Sequence, residues 1–232
     1  MITHAITHTK QRPVAAGLSC LAAVVVLGVV VAHGATPIDQ TAYRGLHDVL
    51  SPHRLTWRLV NAIAHEHGHP HGSYLTAALP LLLAAILAGD RLRHDWDQNW
   101  GRWSELRSRA WPWLTPWLGW SFILLCSLPL VEALRLAYDR PDPTESANPK
   151  SPLGSYPSGA ALLVAIGWIA GGTVLVRLRP AWRRPLLVVG ALALAVHAAA
   201  RVAVGAHWLT DVLGSYLLAA GMALLAAPLL RR

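Results

Sequence analysis

Three polar side chains interrupt an apolar stretch near the end of the chain, in "RVAVGAHWLTDVLGSY" (201–216). Arg201 precedes His207 by six positions, and Asp211 follows His207 by four. On a helix, residues four apart lie one above the other on the same face. A carboxylate bonded to one imidazole nitrogen fixes the ring tautomer and leaves the other nitrogen as a base or nucleophile. Arg201 and Arg140 offer planar guanidinium forks suited to phosphate oxygens. "PSG" at 157–159 stands where an apolar run begins, and the free N–H groups at a helix start favour an anion. An oriented imidazole, two arginines and a helix start together describe a phosphate site.

The elements that must position these groups are membrane helices. Apolar residues make up 54% of the 232, charged residues only 14%, and the mean hydropathy is +0.38. The charges are clustered: Val14–Ala32, Trp111–Val131, Ser151–Val176 and Val212–Leu230 contain no Asp, Glu, Lys or Arg, and neither do the shorter runs His67–Gly89 and Pro185–Ala200. About 20 apolar residues cross a bilayer. The pattern predicts an all-α, six-span bundle, a single integral membrane domain over 1–232, with helices at about 14–32, 73–90, 113–136, 158–176, 185–200 and 209–229. The first run exceeds the roughly 7–15 apolar residues of a cleaved secretory signal and reads as a span. Outer loops then cover 33–72, 139–157 and 201–207. An inner segment, 91–112, mixes Arg with Trp96, Trp100, Trp103 and Trp111 and reads as a stretch lying in the headgroup layer.

The net charge of +8 is explained by topology. With a cytoplasmic amino terminus, 13 of the 20 basic residues fall on inner segments, the bias expected of membrane proteins. Both termini are then cytoplasmic, the polar constellation faces outside, and nucleic acid is not an expected partner. Cys20 and Cys126 sit in different spans, so neither a disulfide nor a metal spacing is expected. The run "HEHGHPHG" (65–72) is rich in histidine, but Gly68 and Pro70 break the helical spacing of a zincin; it reads first as a solvated loop, with a contribution to the polar pocket and a zinc or copper site as the alternatives.

Arg140-Pro141, Pro157-Ser158-Gly159 and R-x5-H-x3-D at 201–211 resemble the three motifs of the type 2 phosphatidic acid phosphatase family, which shares its core with the vanadium haloperoxidases. The resemblance covers about residues 73–230. It implies that His207 attacks phosphorus and forms a phosphohistidine oriented by Asp211. It further implies that Arg140, Arg201, Ser158 and Gly159 hold the phosphoryl oxygens without a metal or other cofactor, on a lipid phosphate or diphosphate. The compactness of the chain and the absence of glycosylation sequons from the outer loops point to a bacterial inner membrane.

The departures matter as much. The family's second motif continues with a histidine that protonates the leaving oxygen, and here that position is Ala160. A lysine seven residues before the first arginine is replaced by Ala133, with Arg135 two positions off and expected to point away; a serine opening the third motif is Ala200. General acid catalysis contributes about 10²–10⁴-fold, a loss that falls hardest on poor leaving groups. Three readings follow. The substrate is a diphosphate, such as a polyprenyl diphosphate, whose departing phosphate needs no acid; or His197, one turn before Arg201, substitutes; or the protein binds phospholipid without turnover. Transfer to another hydroxyl instead of water would use the same residues.

Overall fold

A computed structural model describes residues 2–64, 71–98, 103–143 and 154–230. Among the described residues eight α-helices follow one another: α1 (Ile2–Val31), α2 (Pro37–Leu50), α3 (Arg54–Ala64), α4 (His71–Gln98), α5 (Trp103–Tyr138), α6 (Gly159–Leu178), α7 (Arg183–Ala203) and α8 (Leu209–Leu230). A short 3₁₀ turn, Pro180–Trp182, precedes α7. No strand occurs among the described residues.

Six of these helices contain a span long and apolar enough to cross a bilayer: Arg12–Val31, Leu75–His94, Leu118–Tyr138, Gly159–Leu178, Pro180–Ala203 and Leu209–Ala227. The chain is an integral, multi-pass membrane protein, and the six expected spans all appear. The start of α6 and the 204–208 turn before α8 meet at one end of the bundle, where the Ser158 N–H donates to the Asp211 carbonyl. Each pass is apolar toward the hydrocarbon that surrounds the bundle, and helical structure satisfies its main-chain groups internally, while Ser127, His197, Asp211 and Ser215 are buried within the bundle.

Two helices form the centre. α6 lies between α4 and α8, and α1 packs along α8. With no water to expel between helices in a membrane, close backbone approach holds them together. Gly167 and Gly171 of α6, one turn apart, provide it. A Cβ added at Gly167 would stand 2.4 Å from the Ala77 carbonyl oxygen, and one at Gly171 would stand 2.6 Å from the Pro80 carbonyl carbon. Tyrosine hydroxyls cross-link the helices: Tyr156 donates to the Val24 carbonyl at 2.6 Å, and Tyr216 donates to that of Leu194 at 2.8 Å. The outward faces carry exposed Val25, Val29, Leu82, Ile86, Leu187 and Val196, the surface that lipid covers.

Three expectations need correction. The outer loop expected over 33–72 contains α2 and α3. Thr36 and Asp39 form a capping box and Pro37 occupies the first helical position, which together nucleate α2. Val60 and Ala64 of α3 bury against Ala200, Ala203 and Val204 at the end of α7, laying this pair of helices across the bundle end. The inner segment 91–112 is mostly the continuation of two spanning helices, since α4 runs to Gln98 and α5 starts at Trp103. The loop expected over 201–207 is shorter, because α7 extends to Ala203 and places Arg201 in its last turn, where a cation is favoured. The His47 ring nitrogen Nδ1 lies 3.0 Å from the Ala203 carbonyl, satisfying one of that helix's terminal acceptors.

Candidate active site

The turn between α7 and α8 carries the imidazole. Gly205 takes φ +68, a left-handed conformation that glycine adopts without penalty, and the chain then reaches His207 two residues before α8 begins. Asp211 lies in the first turn of α8, and its Oδ2 accepts the Trp208 backbone N–H at 2.9 Å. The same oxygen stands 3.5 Å from His207 Nδ1, an ion-pair distance longer than a hydrogen bond. His207 is 6% exposed. Burial pushes its pKa down to about 4; the positive charges of Arg201 and Arg135 add to this, and Asp211 opposes it. The ring is therefore neutral at neutral pH, the form a nucleophile requires.

Arg140 does not stand free for a phosphate. It is fully buried, and its terminal nitrogens are committed to protein acceptors. NH1 donates to Asp211 Oδ1 and, at 2.7 Å, to Thr210 Oγ1. NH2 donates to Asp39 Oδ2 at 2.6 Å and to the Gly34 carbonyl at 3.1 Å. The Arg140 Nε is buried without a partner. Arg140 leaves α5 just after Asp139, which has φ 40, and its main chain is clasped by the returning loop, with the Ser155 N–H on the Arg140 carbonyl at 2.8 Å. Gly154 (φ +82) permits that crossing: a Cβ there would lie 2.8 Å from the Arg140 nitrogen. The Arg140 guanidinium is thus held between two carboxylates, Asp39 and Asp211.

Arg135 occupies the neighbourhood from which sequence counting excluded it. On α5, Val131 and Arg135 are one turn apart and share the face turned to α6. A Cβ placed on Gly159 would lie 3.6 Å from Arg135 NH2 and 3.7 Å from a Val131 methyl. Arg135 Nε donates to the Pro157 carbonyl at 3.1 Å, aiming the guanidinium at the start of α6. Arg201 is partly buried at the end of α7, with NH1 on the Ala64 carbonyl and Nε without a partner. The charges of both arginines reach the His207 ring.

The remaining expected residues divide. Ser158 caps α6, its hydroxyl accepting the Ala161 N–H at 3.4 Å. Its N–H donates to the Asp211 carbonyl at 3.3 Å, and its own carbonyl accepts from Ser215 Oγ at 2.8 Å. Ser158 therefore joins the start of α6 to Asp211, with its hydroxyl oxygen capping the helix. Gly159 and Ala160 are partly exposed at the first turn of α6. Their N–H groups belong to the four that a helix start leaves without intrahelical partners. His197 is fully buried one turn below Arg201, within electrostatic reach of Arg201 and His207, so a substitute acid there has no direct access to solvent.

Asp39 is the polar residue of the site that sequence reading missed. It is 0% exposed, and Oδ1 accepts the Thr210 N–H and hydroxyl, each at 2.9 Å. Oδ2 accepts Thr36 N–H and hydroxyl at 3.0 and 2.8 Å in addition to Arg140. Burial raises a carboxyl pKa, but the hydrogen bonds from Thr210, Thr36 and Arg140 outweigh it and hold Asp39 below its ordinary value. The available signal was the capping box "TPID" at 36–39, which predicts a helix start but not a partner in α8.

No group of three metal-ligating side chains occurs among the described residues, and the histidine run from His65 to His69 lies outside them. Two cavities open elsewhere. One of about 290 Å³ is lined by Asp90, Arg91, His94 and Arg179 at the opposite end of the bundle. Another of about 390 Å³ is apolar, between α4, α6 and α7, and includes Trp168 and Trp182. Neither touches His207.

Comparison with known proteins agrees with this fold. Residues 122–232, from the middle of α5 onward, match the PAP2 superfamily. The resemblance to type 2 phosphatidic acid phosphatases is therefore borne out, over a shorter stretch than the 73–230 expected. A transmembrane PAP2-type phosphatidylglycerolphosphate phosphatase from Bacillus subtilis has a similar fold. Its crystal structure aligns with a TM-score of 0.58 at 18% identity, covering 93% of this chain and 94% of that one. No curated protein sequence matches.

Proposed function

We propose that this protein is a membrane lipid phosphatase that transfers a phosphoryl group to His207 and then to water. The observation that carries the reading is the line Arg140–Asp211–His207 at one end of a six-span bundle, with Arg135 and Arg201 within electrostatic reach of the ring. Asp211 faces Nδ1, so Nε2 is the nitrogen left to attack phosphorus. The new N–P bond forms as the bridging P–O bond breaks, and the electron pair leaves on that oxygen. Water then attacks the phosphohistidine, releasing phosphate and regenerating the imidazole. Two guanidinium groups and the opening N–H groups of α6 meet the charge on the equatorial oxygens, the electrostatic part of phosphoryl transfer that a metal supplies elsewhere.

In this reading the roles of two arginines are exchanged relative to expectation. Arg135 replaces the cation missing at Ala133, and Arg140 braces Asp211 instead of touching substrate. With alanine at 160, the departing group receives no proton from the position the family uses. A lipid diphosphate, for example a polyprenyl diphosphate, fits: its terminal phosphoryl group passes to His207 and the lipid monophosphate departs without protonation. The basic residues Arg177, Arg179, Arg183 and Arg184 lie at the end of the bundle opposite His207, which supports a site facing outside and termini in the cytoplasm; the membrane we propose is a bacterial inner membrane. A catalytically silent phospholipid binder is the second reading, favoured by Ala160 alone; a hydroxyl acceptor in place of water would use the same site.

Phosphate release by the purified protein distinguishes these readings. The lipid phosphatase reading expects faster release from a prenyl diphosphate than from phosphatidic acid, and loss of both in His207→Ala. Equal rates on the two substrates would remove the leaving-group argument. Retained lipid-phosphate binding without release would establish the silent binder.

A further inference from the structure

We infer that Asp39, contributed by a helix outside the six spans, is a positioning residue for the phosphoryl transfer: it holds Arg140 and the first turn of α8 so that Asp211 keeps its charge directed at His207. This rests on the functional reading above. The buried cluster contains two carboxylates, Asp39 and Asp211, and one guanidinium, Arg140, all 0% exposed. It therefore carries one surplus negative charge beside a neutral imidazole. When Nε2 bonds to phosphorus, the proton on Nδ1 stays and the ring becomes cationic. The surplus charge then has a counterpart 3.5 Å away.

Without Asp39, Arg140 would neutralise Asp211 alone and the developing cation would lose its counter-charge. The geometry points the same way. Asp39 takes one terminal nitrogen of Arg140, leaving the other for Asp211 and Thr210. It also fixes the Thr210 N–H and hydroxyl, in the residue next to Asp211.

The test compares the full-length wild type with Asp39→Asn, Arg140→Gln, the double variant and exposed Gln40→Ala, using a short-chain prenyl diphosphate as probe. The folded fraction is set by size exclusion. Losing a charge-assisted hydrogen bond and its counter-charge should lower kcat by about 30-fold or more, with KM within about threefold, in Asp39→Asn. Because Asp39 acts through Arg140, the double variant should be within about twofold of Arg140→Gln. Gln40→Ala should match wild type. If Asp39→Asn does not fold, the comparison of Arg140→Gln with the double variant decides. Folded Asp39→Asn retaining kcat within about threefold overturns this role alone, as does a double variant that multiplies the two single losses. Wild type that releases no phosphate overturns the functional reading, and this role with it.

Discussion

Replacing Arg135 with glutamine tests the reassigned phosphate cation. The side chain is 15% exposed, so its charge is only modestly screened, and Nε is fixed on the Pro157 carbonyl at 3.1 Å. Its other recorded partner, Glu132, is nearly half exposed and 3.5 Å away, a surface pair worth no more than about 0.5 kcal/mol here. Structural loss should therefore be small. A hydrogen bond from a charged donor contributes about 1.5–3 kcal/mol. Converted at about 1.4 kcal/mol per decade, Arg135→Gln should lose roughly 10–150-fold in kcat/KM. Arg135→Lys keeps the charge but not the bond to Pro157, and should fall between. Glu132→Gln, which removes only the surface partner, should stay near wild type. The assay is phosphate release from a prenyl diphosphate over a range of concentrations, with folding checked by thermal unfolding in detergent. Arg135→Gln folded and within about twofold of wild type would show that the cation at the start of α6 does not serve the substrate, and the reassignment would fail.

Three further outcomes are expected. Because His207 is protonated only near pH 4 and the protonated ring cannot attack, kcat/KM should hold level on its acid side down to about pH 5 and drop as pH falls through about 4. An acid limb near 6.5 would contradict a desolvated ring. A folded-state pKa below the unfolded one also means that the fold loses stability as pH falls across that interval, measurable as a falling unfolding midpoint. Ala160→His should raise turnover of phosphatidic acid by about tenfold or more while changing the diphosphate rate little, measured on both substrates; no gain would show that position 160 does not face the leaving group. Gly167→Val drives a Cβ to 2.4 Å from the Ala77 carbonyl, where backbone cannot yield, and should cost about 1–3 kcal/mol or more. Gly172→Ala, with nothing within 4 Å, should leave the unfolding midpoint at or above wild type.

The six spans were legible because a bilayer imposes one rule, about 20 apolar residues without charge, that sequence displays directly. The His207–Asp211 pair was legible for a similar reason, since a four-residue separation at a helix start leaves little freedom. α2 and α3 were missed although each is amphipathic, because charge-free runs of membrane length were the signal followed, and short helices interrupted by Arg44, Arg54 and Arg58 have none. On α3, Trp57, Val60, Ile63 and Ala64 share the face that packs on the bundle, with Arg54, Arg58 and Asn61 on the other side. The role of Arg140 depends on Asp39, 101 positions away, and no local spacing reports a pairing at that distance. Arg135 was misplaced because its orientation was judged from Ala133 on an ideal helix. What decides it is the packing of α5 on α6, with Val131 and Arg135 together facing Gly159.

The central claim is that the ring of His207 becomes covalently phosphorylated. The direct measurement is a rapid alkaline quench of purified protein turning over a prenyl diphosphate labelled at its terminal phosphorus, followed by peptide mapping. Acid-labile, alkali-stable label on the peptide containing His207, absent in His207→Ala and reduced in Asp211→Asn, is the predicted result. Turnover that proceeds with no label on that peptide, or with label on another residue, would contradict it.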